Sequence, residues 1–365
     1  SAYIKTLLDD ANASAAQTTL GVASGFKNRL INGAWRFDQV NEGALYTVAN
    51  TQAMDGWSAQ FAGAGVFKVR RVADPDYPSL YALELTCTTA DASIGAGDYY
   101  RLLHAIEGYD AADLLIGSAS AKQITVSFDM KFSVAGTYGV SFHNSAVNRS
   151  YVGTVTQSVA NVREAKTLTL TLDTTGTWLY TTGIGLYLGF CLAAGSTYQI
   201  AAGSWQAAQY MTTSDQANFM SSITNIGYIG RIQLEKGAVA TEFEELSYER
   251  DLARVRRYAR KSYSRDVAVG TATNVGRIAF NTGTNATGYL ALGVSYPQMR
   301  AAPSVTLYDM AGTSGKITDI QANSNELNGV AASAQDIGDS AFDIFYNATG
   351  RAGFCFHYYN NARLS

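Results

Sequence analysis

At 365 residues the chain is long enough for two or three domains, each burying a core of its own. Charged residues make up 16% and aromatics 12%, with 23 Tyr, 15 Phe and 34 Gly against 4 Pro, a balance that argues against disorder and suits β-structure with tight glycine turns. A formal net charge of −3 gives no electrostatic case for nucleic acid or an anionic membrane, and no apolar run approaches the roughly 18 residues of a membrane span.

The opening YIKTLLDDANASAAQTTLGV sets Ile4, Leu7, Leu8, Ala11 and Ala15 on one helical face, which predicts a short helical stem (1–27) whose helix stops around Thr18 to Gly21. No basic-apolar signal peptide opens the sequence, and a start at Ser1 without methionine is expected of a processed chain or, ahead of that, of a fragment of something longer. Isolated helices below about 12–15 residues are marginal in water, so this one needs partners. Two readings stay open: a bundle between copies through the small residues Ala11 to Ala16, or docking on its own domain.

From Asn28, NRLINGAWRFDQV reads as a strand entering a core, with Asn32-Gly33 as a turn signal and Trp57 further on as a core residue. In QITVSFDMKF, Ile124, Val126, Phe128, Met130 and Phe132 alternate with polar residues, and Leu168, Leu170 and Leu172 repeat the pattern. Such strands have one face on a core. GIGLYLGFCLAAG is nearly all apolar and should be a strand covered on both faces. Eight or more closely spaced strands without intervening helices predict an all-β fold, a jelly-roll-like β-sandwich over 28–247. Residues 203–224 lack a period and read as a long loop, the kind of segment that is often functional. Trp205 and Tyr210 there are candidate ligand-stacking residues, or else part of a lid folded over the end of the sandwich.

Ile229, Ile232 and Leu234 begin the next stretch as a strand, followed by a turn at Gly237 and an extended piece through Phe243. A connecting helix is predicted over 248–263, with Ser247 as N-cap, Glu249 and Asp251 in its first turn and an apolar stripe of Tyr248, Leu252, Val255, Tyr258 and Ala259. That stripe needs a partner. The arginines Arg250, Arg254, Arg256, Arg257 and Arg260 would pair with acids of a neighbouring subunit or form a solvated face. Residues 264–365 make a smaller C-terminal β-domain, with a strand at Ser304 to Tyr308 and a closing hairpin whose turn lies near Gly350 and Gly353. Tyr346 and Tyr359 in that hairpin complete the set of candidate ligand contacts, because tyrosine joins a flat apolar face to a polar tip.

Catalytic signatures are missing: there is no Gly-x-Ser-x-Gly, His-Glu-x-x-His or phosphate loop. His104, His143 and His357 stand in separate strand-like contexts and read as structural residues. Cys87, Cys191 and Cys355 are few, odd in number and apolar in context, and read as buried free thiols. Three local carboxylate pairs, Asp74 with Asp76, Glu244 with Glu245 and Asp336 with Asp339, are the remaining route to hydrolysis. Asp74-Pro75-Asp76 reads first as a turn and second as a calcium site. The expectation is no catalytic residue, no metal and no cofactor.

One run resembles a known family. Gln233, Leu234, Glu235 and Gly237, then Ala240, Thr241, Phe243 and Glu244, then Arg257, Tyr258, Lys261, Ser262 and Tyr263, look like the C-terminal part of bacteriophage tail fibre proteins. Glu242 and Glu245 stand where the family often has prolines, and Val255 where it often has cysteine. The run from Tyr3 through Thr18-Thr19-Leu20-Gly21 looks like the segment that joins a fibre shaft to its head, and Ile31 to Gln39 with Met54-Asp55-Gly56-Trp57 like the front edge of the jelly roll. Met299-Arg300-Ala301-Ala302-Pro303 and Asn361-Ala362-Arg363-Leu364 resemble the distal domain. The resemblance implies a distal receptor-binding part made in the host bacterial cytoplasm and carried on the virion tail. It further implies a homotrimer joined through its N-terminus to other tail proteins, binding a bacterial surface polysaccharide or outer-membrane receptor without covalent chemistry. Two rivals are a structural adaptor or fibre cap without a ligand and a capsule depolymerase or esterase.

Overall fold

A computed structural model of the chain describes residues 27–46, 51–320 and 326–364. The stem expected over 1–27 lies outside them, apart from Lys27.

The molecule is nearly all β, and its larger part is a two-sheet sandwich of jelly-roll type. One sheet runs in the order β1 (Thr51–Met54), β2 (Trp57–Ala62), β5 (Tyr99–Glu107), β10 (Ile184–Ala194), β7 (Gly136–His143), β8 (Arg149–Gln157), β11 (Trp205–Ala207). The other runs β3 (Val66–Ala73), β4 (Tyr81–Thr89), β12 (Ile226–Lys236), β6 (Gln123–Phe132), β9 (Glu164–Thr171). All the named pairings are antiparallel, so the alternation in each strand decides which residues meet between the sheets. Ile124, Val126, Phe128, Met130 and Phe132 of β6 are all buried, as their spacing predicts. Phe128 meets Phe190 of the opposite sheet edge-on, ring centroids 4.9 Å apart. Burying each such side chain contributes about 1.5–3 kcal/mol. β10 sits mid-sheet and is covered on both faces. Trp57 has no exposed surface and packs 4.8 Å from Trp35, which closes the core at its front edge.

The segment before Trp57 differs from expectation. NRLINGAWRFDQV is irregular and not a strand. Asn32 and Trp35 take positive φ values of 56° and 58°, which breaks any ladder. The Asn32 amide holds the bend by donating to the Phe37 and Asp55 carbonyls at 2.7 and 3.1 Å. Gly33 is needed there, because an added Cβ would lie 2.2 Å from the Ile232 carbonyl oxygen.

The second unit comprises β13 (Ala259–Lys261), β14 (Ile278–Ser295), β15 (Ser304–Tyr308), β16 (Lys316–Ile320), β17 (Glu326–Gln335) and β18 (Ala341–Asn361). β18 pairs with each of the other five. The expected closing hairpin is therefore a single 21-residue strand. Its turn-like glycines do not reverse the chain, because β14 runs antiparallel beside it from Ser295 to Ile278 and engages its backbone. The irregularity appears instead as a register shift in β14 between Asn281 and Ala286.

The connecting helix is shorter than its periodicity suggests. It spans Tyr248–Arg256, and the chain then enters β13, where Ala259–Lys261 pairs with Asn361–Tyr359. Tertiary pairing overrides the helical pattern at its end. Ser247 takes an extended N-cap backbone, but its side chain makes no capping bond. The apolar stripe does not wait for another subunit: Leu252, Val255 and Tyr258 pack on Ile31, Phe37, Ile184 and Leu364 of the same chain. Arg254 donates to the Asn28 and Leu30 carbonyls, and Arg257 grips Glu107, so these arginines also work within the chain.

Candidate functional site

Where β11 closes the first sheet and β9 the second, their two free edges face each other across an open groove of about 620 Å³. Both edges are paired on one side only, so their outward-facing side chains are set by alternation and stay accessible. β9 alternates in the simplest way, with Leu168 and Leu170 turned inward and Thr167, Thr169 and Thr171 exposed. Thr169 and Thr171 line one wall together with Gln123, whose amide reaches Thr171 Oγ1 at 3.4 Å.

The opposite wall is aromatic. Trp205 on β11 pairs with Tyr151 on β8, and their ring centroids are 5.6 Å apart. Trp178, buried, meets the Trp205 ring edge-on at 5.5 Å from behind. The Trp205 indole N–H donates 2.9 Å to the Thr171 carbonyl across the groove's base, and Trp178 does the same to Thr175 at 2.8 Å. Trp205 is half-buried, with its one polar group already engaged, so what remains to offer is the ring surface. Packing on two sides and one hydrogen bond fix that ring before any ligand arrives, which removes much of the ordering cost of binding.

Charge enters through one pair. Arg149 forks onto Asp173, Nε to Oδ2 at 2.6 Å and Nη2 to Oδ1 at 3.0 Å. Burial raises the Asp173 carboxyl, but the Arg149 fork and the Thr175 N–H and O–H outweigh it and hold the group below the usual carboxylate range. Asp173 is thus ionised and fully engaged at neutral pH. Its partner, more exposed, keeps further N–H groups for a ligand.

Of the four expected contact residues, only Trp205 stands on this wall. Tyr210 is half-buried and outside it, with its N–H bonded to Ser150 Oγ. Tyr346 and Tyr359 are corrected: they are 3% and 9% exposed, one inside the second core and the other beneath the Arg363 guanidinium, and a covered ring offers no face to a ligand. Tyr151, Trp178, Arg149 and Asp173 went unnoticed in the sequence. The alternation of RSYVGTV puts Tyr151 on the face opposite Val152, but nothing local says that this face meets Trp205.

Five of the six carboxylates in the three local pairs are engaged structurally. Asp74 Oδ1 accepts the N–H groups of Asp76 and Tyr77, a side-chain turn, and Arg163 bridges Asp74, Asp76 and Asp129. A guanidinium therefore occupies the place a calcium ion would need. Glu244 accepts from the Asn28 N–H, Glu245 pairs with Arg36, and Asp339 accepts from the Gln298 amide. His104 and His143 have no exposed surface, and His357 is bonded to Ser262 Oγ and the Thr273 carbonyl, each at 3.1 Å. The three cysteines are buried free thiols.

Neither a protein-family model nor a curated protein matches the chain. Solved structures overlap it distantly. The enzymatically active domain of tailspike protein 4 of bacteriophage CBA120 aligns at 10% identity over 59% of this chain and 22% of that one, with a TM-score of 0.29. A family 11 carbohydrate-binding module from Clostridium thermocellum, solved with a β-1,3-1,4-mixed-linked tetrasaccharide, aligns at 11% identity over 54% of this chain and 98% of that one, TM-score 0.27. The tandem CBM22 domains of Paenibacillus barcinonensis Xyn10C align at 11% identity over 94% and 93% of the two chains, TM-score 0.27.

Proposed function

We propose that this chain is the distal, receptor-binding part of a phage tail fibre, attaching the virion to a bacterial cell-surface glycan by non-covalent binding in the Trp205 groove. The observation that supports it is the groove itself: a fixed indole face opposite a row of exposed threonine hydroxyls, with an arginine at one end. A pyranose ring has an apolar face that suits an indole and a rim of hydroxyls that suits short polar groups. The open form of the groove suits a polymer passing through better than a small molecule enclosed. Binding, and not turnover, is the reading we adopt, with no metal or cofactor. The fibre resemblance of the sequence adds a homotrimer on the virion tail, joined to other tail proteins through its N-terminus. Weak single-site contacts would then gain from avidity across three copies.

The test is binding of the labelled protein to intact host-type bacteria, with light scattering on the same sample for the oligomeric state. Saturable binding blocked by extracted surface polysaccharide is expected. Trp205→Ala should weaken the interaction by about 2 kcal/mol, roughly thirtyfold, while leaving the melting temperature of the second unit in place. Binding that survives this substitution at full strength would remove the groove from the attachment mechanism.

A further inference from the structure

A second concavity, of about 400 Å³, lies where the sandwich, the connecting helix and the start of the second unit meet. That volume falls in the roughly 300–1,000 Å³ range of small-ligand sites. Its lining carries six cationic side chains against four acidic ones. Most of these neutralise one another. Glu42 accepts from Lys261 Nζ at 2.7 Å and from Arg71 at 3.3 Å, Glu245 pairs with Arg36, and Asp38 accepts the N–H groups of Asn41 and Gly43. Arg231 is held by Asp129.

Two guanidinium groups remain, together with the exposed carboxylate of Asp266, which follows Arg265 in the chain. Arg256, from the last turn of the helix, and Arg265, from the loop after β13, are exposed at the mouth, and among the described residues neither forms an ion pair. Arg265 lies over the Tyr248 ring, 5.0 Å from its centroid. On the facing wall Arg71 lies over Tyr81 at 4.9 Å, and Tyr81 is 41% exposed. The Arg71 N–H edge is taken by the Arg36 carbonyl and Glu42, so the receiving group is Arg265: a guanidinium lying on a ring is held flat, the orientation that receives a planar carboxylate through two parallel hydrogen bonds.

We propose that this cleft binds a saccharide unit bearing a carboxylate, with Arg256 and Arg265 receiving the anion and Tyr81 meeting the ring. The anionic part of the assignment stands on the cleft alone, while the choice of a saccharide rests on the attachment reading above. A carboxylate fits better than a phosphate dianion, because four acids already lie around the cleft and a single added charge is repelled less. Attachment would then have two chemistries on one chain: a groove for the neutral part of a surface polymer and a cleft for its acidic residues.

The experiment titrates the full chain with fluorescently labelled trigalacturonate, with galactotriose as the neutral counterpart. Trigalacturonate should bind saturably and galactotriose should not compete for its site. Arg256→Ala with Arg265→Ala should weaken trigalacturonate by at least about tenfold, and raising salt from about 50 to about 300 mM should weaken the wild type. Arg250→Ala, which removes the same charge from the same helix away from the cleft, should leave the affinity within about twofold. If the double alanine variant melts early, Arg256→Gln and Arg265→Gln singly keep the chain length and make the same test. The proposal is overturned by failure of trigalacturonate to bind, by binding indifferent to both arginines, or by displacement with equimolar inorganic phosphate. The groove is read separately, through Trp205→Ala and extracted polysaccharide, so failure of either site is distinguishable from failure of the other.

Discussion

Lowering the pH from 7 to about 5 is expected to remove about 2 kcal/mol of stability that one buried imidazole, His104, contributes at neutral pH. His104 has no exposed surface; it sits 4.6 Å from the Trp57 ring, and its Nε2 faces the Ile31 N–H at 3.4 Å, an acceptor role open only to the neutral ring. Burial, with Arg254 acting in the same direction, pushes its pKa from 6.5 down to about 3. His143 is equally buried, with Ser141 Oγ at 3.1 Å and Arg101 at 3.5 Å from its Nε2, and burial and that guanidinium hold it well below the ordinary range. His357 leans the same way through burial.

The sign follows from the proton count. In the unfolded chain each ring takes up a proton as pH falls through about 6.5, while the folded protein does not until far lower. The stability these rings contribute is therefore complete above pH 6.5 and is lost progressively as pH falls toward about 3. For His104 alone the loss reaches roughly 2 kcal/mol by about pH 5. Asp38, Glu42, Asp110 and Asp251, whose carboxyls burial raises, take up protons sooner in the folded chain and act oppositely as pH falls, so the imidazole share is read by comparing the wild type with a variant that lacks the ring. Urea denaturation at a series of pH values gives the slope. His104→Gln keeps an acceptor without the titration, so it should be less stable at pH 7 and show a shallower slope. An unchanged slope would mean that His104 is not the sensor.

Strands of the sandwich were the most legible part of the sequence, because their signal is local. A half-buried strand must alternate, and β6 and β9 do. The long apolar run at Gly183 could only be a strand covered twice, and β10 is central. Legibility fails where a distant partner decides. Ala259 continues the helical stripe, yet β18 draws it into a ladder; Asn-Ala-Thr-Gly reads as a turn, yet β14 keeps the chain straight. The candidate site divides in the same way. Trp205 stood out as a tryptophan in an aperiodic polar stretch, whereas Tyr151 and the Arg149–Asp173 pair matter only because β8 and β9 come together at the sandwich edge. Tyr346 and Tyr359 show the limit of composition: tyrosine suits a sugar and a β-core equally, and here the core has them.

Arg363→Ala is expected to cost about 3–5 kcal/mol, the range for leaving a buried charge without its partner. The segment after β18 packs back against the connection between β1 and β2: Arg363 pairs with Asp55, and the two side chains are 4% and 1% exposed. Asp55 also accepts the Gln39 N–H at 2.8 Å and its amide at 3.2 Å, and that amide donates to the Ala259 carbonyl at 3.0 Å. One network thus joins the sandwich, the strand after the helix and the C-terminal tail. Next to it Leu364 enters the helix cluster, and its carbonyl accepts from Gln52 at 2.8 Å. Removing the guanidinium strands a carboxylate inside this junction, and water must enter or the tail must leave. Calorimetry should show the first unfolding transition lowered by on the order of 10 °C, with the second unit melting apart from the sandwich. Because the penalty belongs to the unpaired charge and not to the missing contact, Arg363→Met with Asp55→Asn should recover most of the loss. A single substitution that costs under about 1 kcal/mol would show that packing of Leu364 and Tyr258, and not the ion pair, holds the two units together.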